Sequence, residues 1–294
     1  MEKNDICFFG TSVTQQKNGF VKYLTEKLNI NKISFCYGGM HINDAGICYI
    51  DDVIASECKY CFIDFFSTDF ICTNNLMIEY LDTIVYKFTK ANIKLVFLFL
   101  PRNDHNDRIN YYNFLKTYLI SKNLYYIDLN EYFEYSTDII RDAVHTTDLG
   151  SEKYAELIYE KFTQTINEIQ LPLDITETKY CHIKKIEINK IFNKKLVVDG
   201  KAFIVGFLLK IGPNSGWIEI NGIKYLVWDI YCHYIRENMR LTGINIDGIT
   251  DINILQDDVD YSKCRREITE KNVIKYQDII NICYIGELRF ISGE

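Results

Sequence analysis

The chain has 294 residues, of which 48% are hydrophobic and only 3 are proline, so two domains with sizeable cores are expected. Its 33 basic and 40 acidic residues give a net charge of −7, which argues against a nucleic-acid binder and against electrostatic docking on anionic membranes. No apolar stretch reaches transmembrane length and no signal-peptide pattern opens the sequence. We therefore expect a cytoplasmic protein without a membrane span.

Ten cysteines are spread along the whole chain, and several, such as Cys7 and Cys61, lie inside apolar runs. A free thiol in such a run packs as a small hydrophobe. Cys58 and Cys61 have the spacing of a metal or redox pair, but no second pair follows at ligand distance. We therefore expect reduced thiols, with neither a bound metal nor a cofactor.

Residues 1–170 alternate between short apolar runs and segments with helical spacing of apolar residues. The predicted strands are 5–9, 32–37, 60–66, 93–100 and 124–129, and the predicted helices are 19–28, 43–54, 75–91, 107–121 and 151–169. Continuous apolar strands alternating with helices indicate a parallel sheet covered on both faces, which gives a three-layer, doubly wound α/β fold. Ligands bind such folds outside the carboxyl ends of the strands.

Residues 171–294 have a different pattern of apolar and turn residues, and Leu171-Pro172-Leu173 marks the predicted domain boundary. Short β-rich runs follow, separated by turn signals such as Asp199-Gly200 and Asn221-Gly222. Asn-Gly between two apolar runs is a strong hairpin signal. The second domain is therefore predicted to be a mainly β sandwich or barrel. We expect it to shape the substrate cleft or to carry any homo-oligomer contact.

Two segments at the predicted sheet edge carry residues suited to nucleophilic catalysis. Ser12 follows the first strand, although a serine in that position is on its own more often a turn former. Asp142 and His145 lie between the last strand and the final helix. Histidine can accept a serine proton near neutral pH, and a carboxylate three residues earlier can fix its tautomer and stabilise the imidazolium. The position of both segments favours a triad.

These segments resemble the SGNH hydrolase superfamily, also called GDSL-type esterases and lipases, over residues 1–170. Gly10-Thr11-Ser12 resembles the first family block, Gly38-Gly39 resembles the glycine block, and Asp142-Ala143-Val144-His145 resembles the final Asp-x-x-His block. The resemblance implies a flavodoxin-like fold, with Ser12 as nucleophile, His145 as general base and Asp142 as the partner of that histidine.

The resemblance also implies an oxyanion hole built from the N–H groups of Ser12 and Gly39 and a side-chain donor of the third block. Phe66-Ser67-Thr68-Asp69 stands where the family has Gly-x-Asn-Asp, so Thr68 replaces the usual asparagine. Either Thr68 is a weaker donor, or Asn74 or another nearby group substitutes. Phe66 in place of glycine is expected to narrow the pocket.

We expect a serine-dependent hydrolase that removes a small acyl group, such as acetyl. The expected substrate is a small-molecule or glycan ester, such as a sugar or a polysaccharide precursor. Two alternatives stay open. An O-acyltransferase would use the same triad and pass the acyl group to a glycan hydroxyl. A carbohydrate-binding protein would result if the changes at Thr68 and Phe66 mark a decayed oxyanion hole.

Overall fold

The computed structural model describes residues 2, 4–68, 75–104, 108–133, 136–188, 195–255, 259–265, 267–268 and 277–293. The chain divides into two compact units, Met1–Cys181 and His182–Glu294. Residues 171–181, which the sequence analysis assigned to the second domain, lie in the first unit. They pack there, because the Thr178 hydroxyl lies 2.5 Å from that of Thr83 and the Tyr180 ring centroid lies 5.0 Å from that of Tyr80.

The first unit is built on a five-stranded parallel sheet. Its strands are β1 (Ile6–Gly10), β2 (Ser34–Cys36), β3 (Tyr60–Asp64), β4 (Lys94–Phe99) and β5 (Tyr125–Asp128). Its helices are α1 (Ser12–Gln15), α2 (Phe20–Leu28), α3 (Ala45–Cys48), α4 (Ile50–Ile54), α5 (Asn75–Lys90), α6 (Ile109–Ser121) and α7 (Asp148–Thr165). The strand order is β2-β1-β3-β4-β5, with every pairing parallel. This is the flavodoxin-like order, so the predicted α/β fold class is confirmed.

Both faces of this sheet are buried, which explains why its strands read as continuous apolar runs. On β1, Phe8 packs against Phe20 of α2 with ring centroids 6.4 Å apart. The next residue, Phe9, points to the other face and packs against Phe88 of α5, also at 6.4 Å. Successive side chains of a strand face opposite sides, so the sheet needs apolar residues at both.

Two local predictions differ from the structure. The predicted helix 43–54 is divided into α3 and α4 by Tyr49, whose backbone leaves the helical region and whose ring stacks on Tyr37 at 4.2 Å. The structure also contains α1, a four-residue helix that the sequence analysis did not predict. A helix of this length is too short to show a helical period.

The second unit is an antiparallel sheet. Its strands are β6 (Lys184–Glu187), β7 (Lys195–Ile211), β8 (Trp217–Ile220), β9 (Ile223–Leu226), β10 (Arg236–Asp247), β11 (Thr250–Leu255) and β12 (Gln277–Gly293). Six of these seven strands follow the order β6-β12-β7-β11-β8-β9, and the seventh, β10, pairs with β7. The predicted β-rich second domain is therefore confirmed.

The two turn signals of this unit have different outcomes. Asn221-Gly222 forms the predicted tight hairpin between β8 and β9, with both residues at positive φ. Asp199-Gly200 does not form a turn, because β7 runs straight through it. Gly200 is needed there for close approach to the neighbouring strand, since an added Cβ would lie 2.1 Å from the carbonyl oxygen of Glu287. Among the described residues, no helix has the length and apolar character needed to cross a bilayer.

Candidate active site

Ser12 is the first residue of α1 and lies where β1 ends, at the carboxyl edge of the parallel sheet. The chain can turn there because Gly10 has no side chain. An added Cβ would lie 2.7 Å from both the Asp64 carbonyl oxygen and the Thr14 hydroxyl oxygen. An N–H group in the first turn of a helix has no acceptor within that helix. Ser12 is therefore half-buried at the edge with its amide N–H available to a ligand.

The structure brings together the three residues of the predicted triad. His145 Nε2 lies 2.9 Å from Ser12 Oγ, and His145 Nδ1 lies 3.0 and 2.9 Å from Oδ1 and Oδ2 of Asp142. The His145 side chain is 26% exposed and that of Asp142 is 38% exposed, so the group is open to a ligand. This is the hydrogen-bonded order in which a carboxylate orients an imidazole that accepts a hydroxyl proton.

Asp142 is held in its ionised form by its own loop. Burial raises its pKa, but Oδ1 accepts hydrogen bonds from the N–H groups of Val144 at 3.0 Å and His145 at 2.9 Å, and the imidazole lies beside it. The net result is a pKa below the ordinary aspartate value. The same carboxylate thus shapes the turn before His145 and faces its ring.

The loop that carries His145 is closed by backbone hydrogen bonds. Ile140 and Thr146 form an isolated antiparallel bridge, and the Arg141 N–H donates to the His145 carbonyl oxygen at 2.9 Å. Thr147 is the N-cap of α7, with its hydroxyl accepting from the Gly150 N–H at 3.0 Å. His145 is therefore carried by a short hairpin that is fixed at both ends.

Gln16 joins the Ser12 segment to the His145 loop, and the sequence analysis did not identify it. Its Nε2 donates to the Thr146 carbonyl oxygen at 3.1 Å, and its Oε1 accepts from the Thr146 N–H at 3.2 Å. The Gln16 amide thus pairs with the N–H and carbonyl groups of Thr146, as a neighbouring strand would, and joins two segments 130 residues apart. The glutamine gave no signal in the sequence, because its partner is a main-chain group.

A buried carboxylate lies beside the turn that carries Ser12. Asp64, the last residue of β3, is 1% exposed and accepts from the hydroxyl groups of Thr14 at 2.9 Å, Ser67 at 3.1 Å and Thr11 at 3.4 Å. Burial raises the pKa of Asp64, and the hydroxyl donors offset part of that rise. This network connects the turn after β1 with the turn after β3, and it supports the backbone on both sides of Ser12.

The predicted oxyanion residues lie in two loops at the same sheet edge. Gly39 follows β2, is exposed and has a φ of +70°, a conformation that suits glycine. The Thr68 hydroxyl lies 2.6 Å from the Met40 carbonyl oxygen and 3.2 Å from that of Phe65. A hydroxyl has one proton to donate. Thr68 thus uses that proton to bridge the loops after β2 and β3. Asp69 and Asn74 lie outside the described residues.

Two arginines after β4 hold the loop that contains Thr68. Nη1 of the buried Arg102 donates to the Ser67 carbonyl oxygen, and Nη1 of Arg108 donates to that of Thr68 at 3.4 Å. Asp104 lies between them, 2.6 Å from Arg102 Nε and 3.2 Å from Arg108 Nε. Burial raises the pKa of Asp104, but the two guanidinium groups outweigh it and hold the pKa below its usual value. The arginines therefore fix the backbone rather than face an open anion site.

Phe66 is a core residue in this structure. It is buried, and its ring packs against Phe99 at 5.1 Å and lies parallel to that of Tyr111 at 6.1 Å. In the loop after Gly39, His41 Nδ1 lies 3.2 Å from Asp44 Oδ2. Within the described part of the chain, no three His, Cys, Asp or Glu side chains are gathered as metal ligands.

Comparison with known proteins gives a match in structure alone. No family model matches the sequence, and no curated protein does. A two-domain esterase active on acetylated mannans matches with a TM-score of 0.65 and 12% identity, over 97% of this chain and 92% of that chain. A structure of such an esterase with mannopentaose gives 0.63 and 12%, over 96% and 90%. An acetyl xylan esterase, with a TM-score of 0.43 and 20% identity over 53% of this chain and 98% of that chain, is too distant to argue from. At 12% identity the match shows a common fold, so the resemblance drawn from the motifs is confirmed at the level of the fold.

Proposed function

We propose that this chain is a serine ester hydrolase of the SGNH hydrolase superfamily. The observation that carries the proposal is the continuous hydrogen-bonded chain from Ser12 through His145 to Asp142, with 2.9 Å between the hydroxyl oxygen and the imidazole. The contact between Ser12 and His145 lies within the range in which a proton is passed during catalysis, and the contact between His145 and Asp142 orients the imidazole for it. The fold that this chain shares with the two-domain mannan esterase is a second, separate observation in favour of the same assignment.

In the first half of the reaction, Ser12 Oγ attacks the acyl carbonyl carbon while His145 Nε2 takes the hydroxyl proton. Asp142 stabilises the imidazolium that forms. The negative charge on the carbonyl oxygen is held by the N–H groups of Ser12 and Gly39, and removing one such donor typically costs about 10²–10³-fold in rate. When the tetrahedral intermediate collapses, His145 gives its proton to the departing alcohol, and the acyl group stays on Ser12.

In the second half, a water molecule attacks the acyl-enzyme. His145 takes a proton from the water, and the second tetrahedral intermediate is held by the same donors. Its collapse breaks the bond to Ser12, whose oxygen recovers the proton from His145. The products are one carboxylic acid and one alcohol.

For the substrate, we propose a small acyl group, acetyl in the first instance, on a hydroxyl of a sugar. Support comes from the fold neighbour of nearly full length, which is described as active on acetylated mannans. An acetylated mannan is therefore the natural test substrate, beside a chromogenic acetate ester.

The experiment compares the wild type, Ser12→Ala and Ser121→Ala on p-nitrophenyl acetate and on acetylated mannan. Ser121 is an exposed serine at the end of α6 that donates to the Tyr118 carbonyl oxygen, so it is the matched control. We expect Ser12→Ala to lose at least about 10³-fold in kcat, since only binding and the oxyanion donors remain, while Ser121→Ala keeps full activity. Equal activity in wild type and Ser12→Ala would remove Ser12 from the mechanism.

The two alternatives predict different products in the same assay. A transferase would leave an acyl-glycan when an unacetylated acceptor glycan is added, whereas a hydrolase releases free acid. A binding protein would retain the acetylated glycan without turnover in the wild type and in Ser12→Ala alike.

A further inference from the structure

Two buried thiols lie near the amino ends of the strands, away from the edge that carries Ser12. Cys7 is the second residue of β1, and Cys58 lies two residues before the first residue of β3. Their sulfur atoms are 2.7 Å apart, and the two residues are 0% and 3% exposed. The two free thiols are thus already in direct contact, and a disulfide would bring the sulfur atoms to about 2.05 Å.

The backbone around this pair is fixed in a way that keeps the sulfurs together. The N–H groups of Lys59 and Tyr60 both donate to the Asp5 carbonyl oxygen, at 2.8 and 2.9 Å. These bonds join Asp5, the residue before β1, to the beginning of β3. Only a small sulfur displacement separates the present arrangement of Cys7 and Cys58 from a covalent one.

A third buried thiol, Cys61, is the competing partner. It lies directly opposite Cys7 in the register of β1 and β3. Neighbouring strands are about 4.8 Å apart, and side chains at the same register run parallel. That separation exceeds the Cβ–Cβ distance of about 3.8 Å that a disulfide prefers. The register therefore disfavours Cys61, while Cys58 approaches from outside the ladder.

We propose that Cys7 and Cys58 are a cross-linking site, at which a disulfide forms under oxidising conditions and joins β1 to the start of β3. The oxidant is a small-molecule disulfide such as oxidised glutathione. The thiolate of one cysteine attacks it and releases one glutathione thiolate, and the second cysteine then displaces the other. Two thiols are oxidised and one disulfide is reduced.

The pKa values of the two thiols determine when the reaction takes place. The hydrogen bond with Cys7, together with burial, raises the pKa of the Cys58 thiol. For the Cys7 thiol, the hydrogen bond with Cys58 lowers the pKa, but the hydrogen bond with Cys61 and burial outweigh it, so this pKa is raised as well. Since the thiolate is the attacking species, exchange is slow in the folded chain and faster while the chain folds. The bond would close the segment between residues 7 and 58, which restricts the unfolded state and leaves the catalytic edge in place.

The test refolds the full chain from urea with a mixture of reduced and oxidised glutathione, and in parallel with excess dithiothreitol. Each sample is alkylated in denaturant, its intact mass is measured by mass spectrometry, and it is then digested for peptide mapping. We expect two fewer alkylated cysteines after oxidative refolding, a linked peptide pair containing Cys7 and Cys58, and a higher urea midpoint than in the reduced sample. A Cys61→Ala variant keeps the link, and a Cys58→Ala variant loses both the link and the midpoint difference.

The wild-type peptide map is decisive even if a variant fails to fold. Full alkylation of all ten cysteines after oxidative refolding would overturn the proposal, and so would a link between Cys7 and Cys61. None of these readouts uses esterase activity, so the result is independent of the proposed function.

Discussion

Asp142 has two separate tasks in the structure, and two substitutions separate them. Its Oδ1 accepts the N–H groups of Val144 and His145, and the carboxylate also faces His145 Nδ1. Asp142→Asn keeps an oxygen for the two N–H groups but turns an N–H donor toward Nδ1. The imidazole must then carry its proton on Nε2, where it can no longer accept the proton of Ser12.

The two variants should therefore differ in stability more than in rate. For Asp142→Asn we expect kcat to fall about 10³–10⁴-fold, or about 4–5.5 kcal/mol of barrier, while the free energy of unfolding changes by less than about 1 kcal/mol. Asp142→Ala should lose a similar rate and also about 1–2 kcal/mol of stability, because two N–H groups lose an ionised acceptor that is partly exposed.

The assay pairs steady-state hydrolysis of p-nitrophenyl acetate with urea unfolding of the same preparations near pH 7. Wild-type-like activity in Asp142→Asn would refute the assignment of the tautomer. An unchanged urea midpoint in Asp142→Ala would refute the structural half of the reasoning, in which this carboxylate supports the turn before His145.

Gln16→Ala removes three hydrogen bonds with Thr146, two with its backbone and one with its hydroxyl, and should lower kcat about 10–100-fold with little change in KM. Gln15→Ala, at the exposed neighbouring position, should match the wild type in the same kinetic assay. Thr68→Ser keeps the hydroxyl bridge and should stay within about threefold of wild-type kcat, while Thr68→Val should lose about tenfold; equal losses would contradict the bridging role. Asp64 binds its proton more tightly in the folded chain, so it makes stability fall as pH rises from about 4 toward its raised pKa. Asp64→Asn should remove that part of the slope in urea midpoints measured across this range, and an unchanged slope would count against the buried carboxylate.

The first unit was predictable because its signals are local and repeated. Each strand is a continuous apolar run between helices of regular period, and this alternation leaves few topologies. The carboxyl-edge rule then pointed to the residues after β1 and β5, which include Ser12 and His145. Motif and topology agree at these positions, so the sequence alone predicts that two segments far apart in the chain approach each other.

The supporting residues were not predictable, because their partners are main-chain atoms or hydroxyl groups brought together only by folding. Gln16 binds the backbone of Thr146, and Thr68 binds the carbonyl oxygen of Met40. From the sequence, Thr68 was one candidate for the side-chain oxyanion donor, beside Asn74 or another nearby group, and in this structure its hydroxyl donates to the Met40 carbonyl oxygen. The turn predicted at Gly200 was wrong for a related reason. A glycine that is needed for the close approach of two strands gives the same sequence signal as a glycine in a turn.

The most direct test of the central claim is covalent labelling of the wild type with a p-nitrophenyl phosphonate, followed by intact mass and peptide mapping. If His145 activates Ser12, one phosphonyl group should be attached at Ser12 in the wild type, with labelling slowed at least about 10²-fold in His145→Ala. Labelling at another residue, or equal labelling rates in the two proteins, would contradict the account.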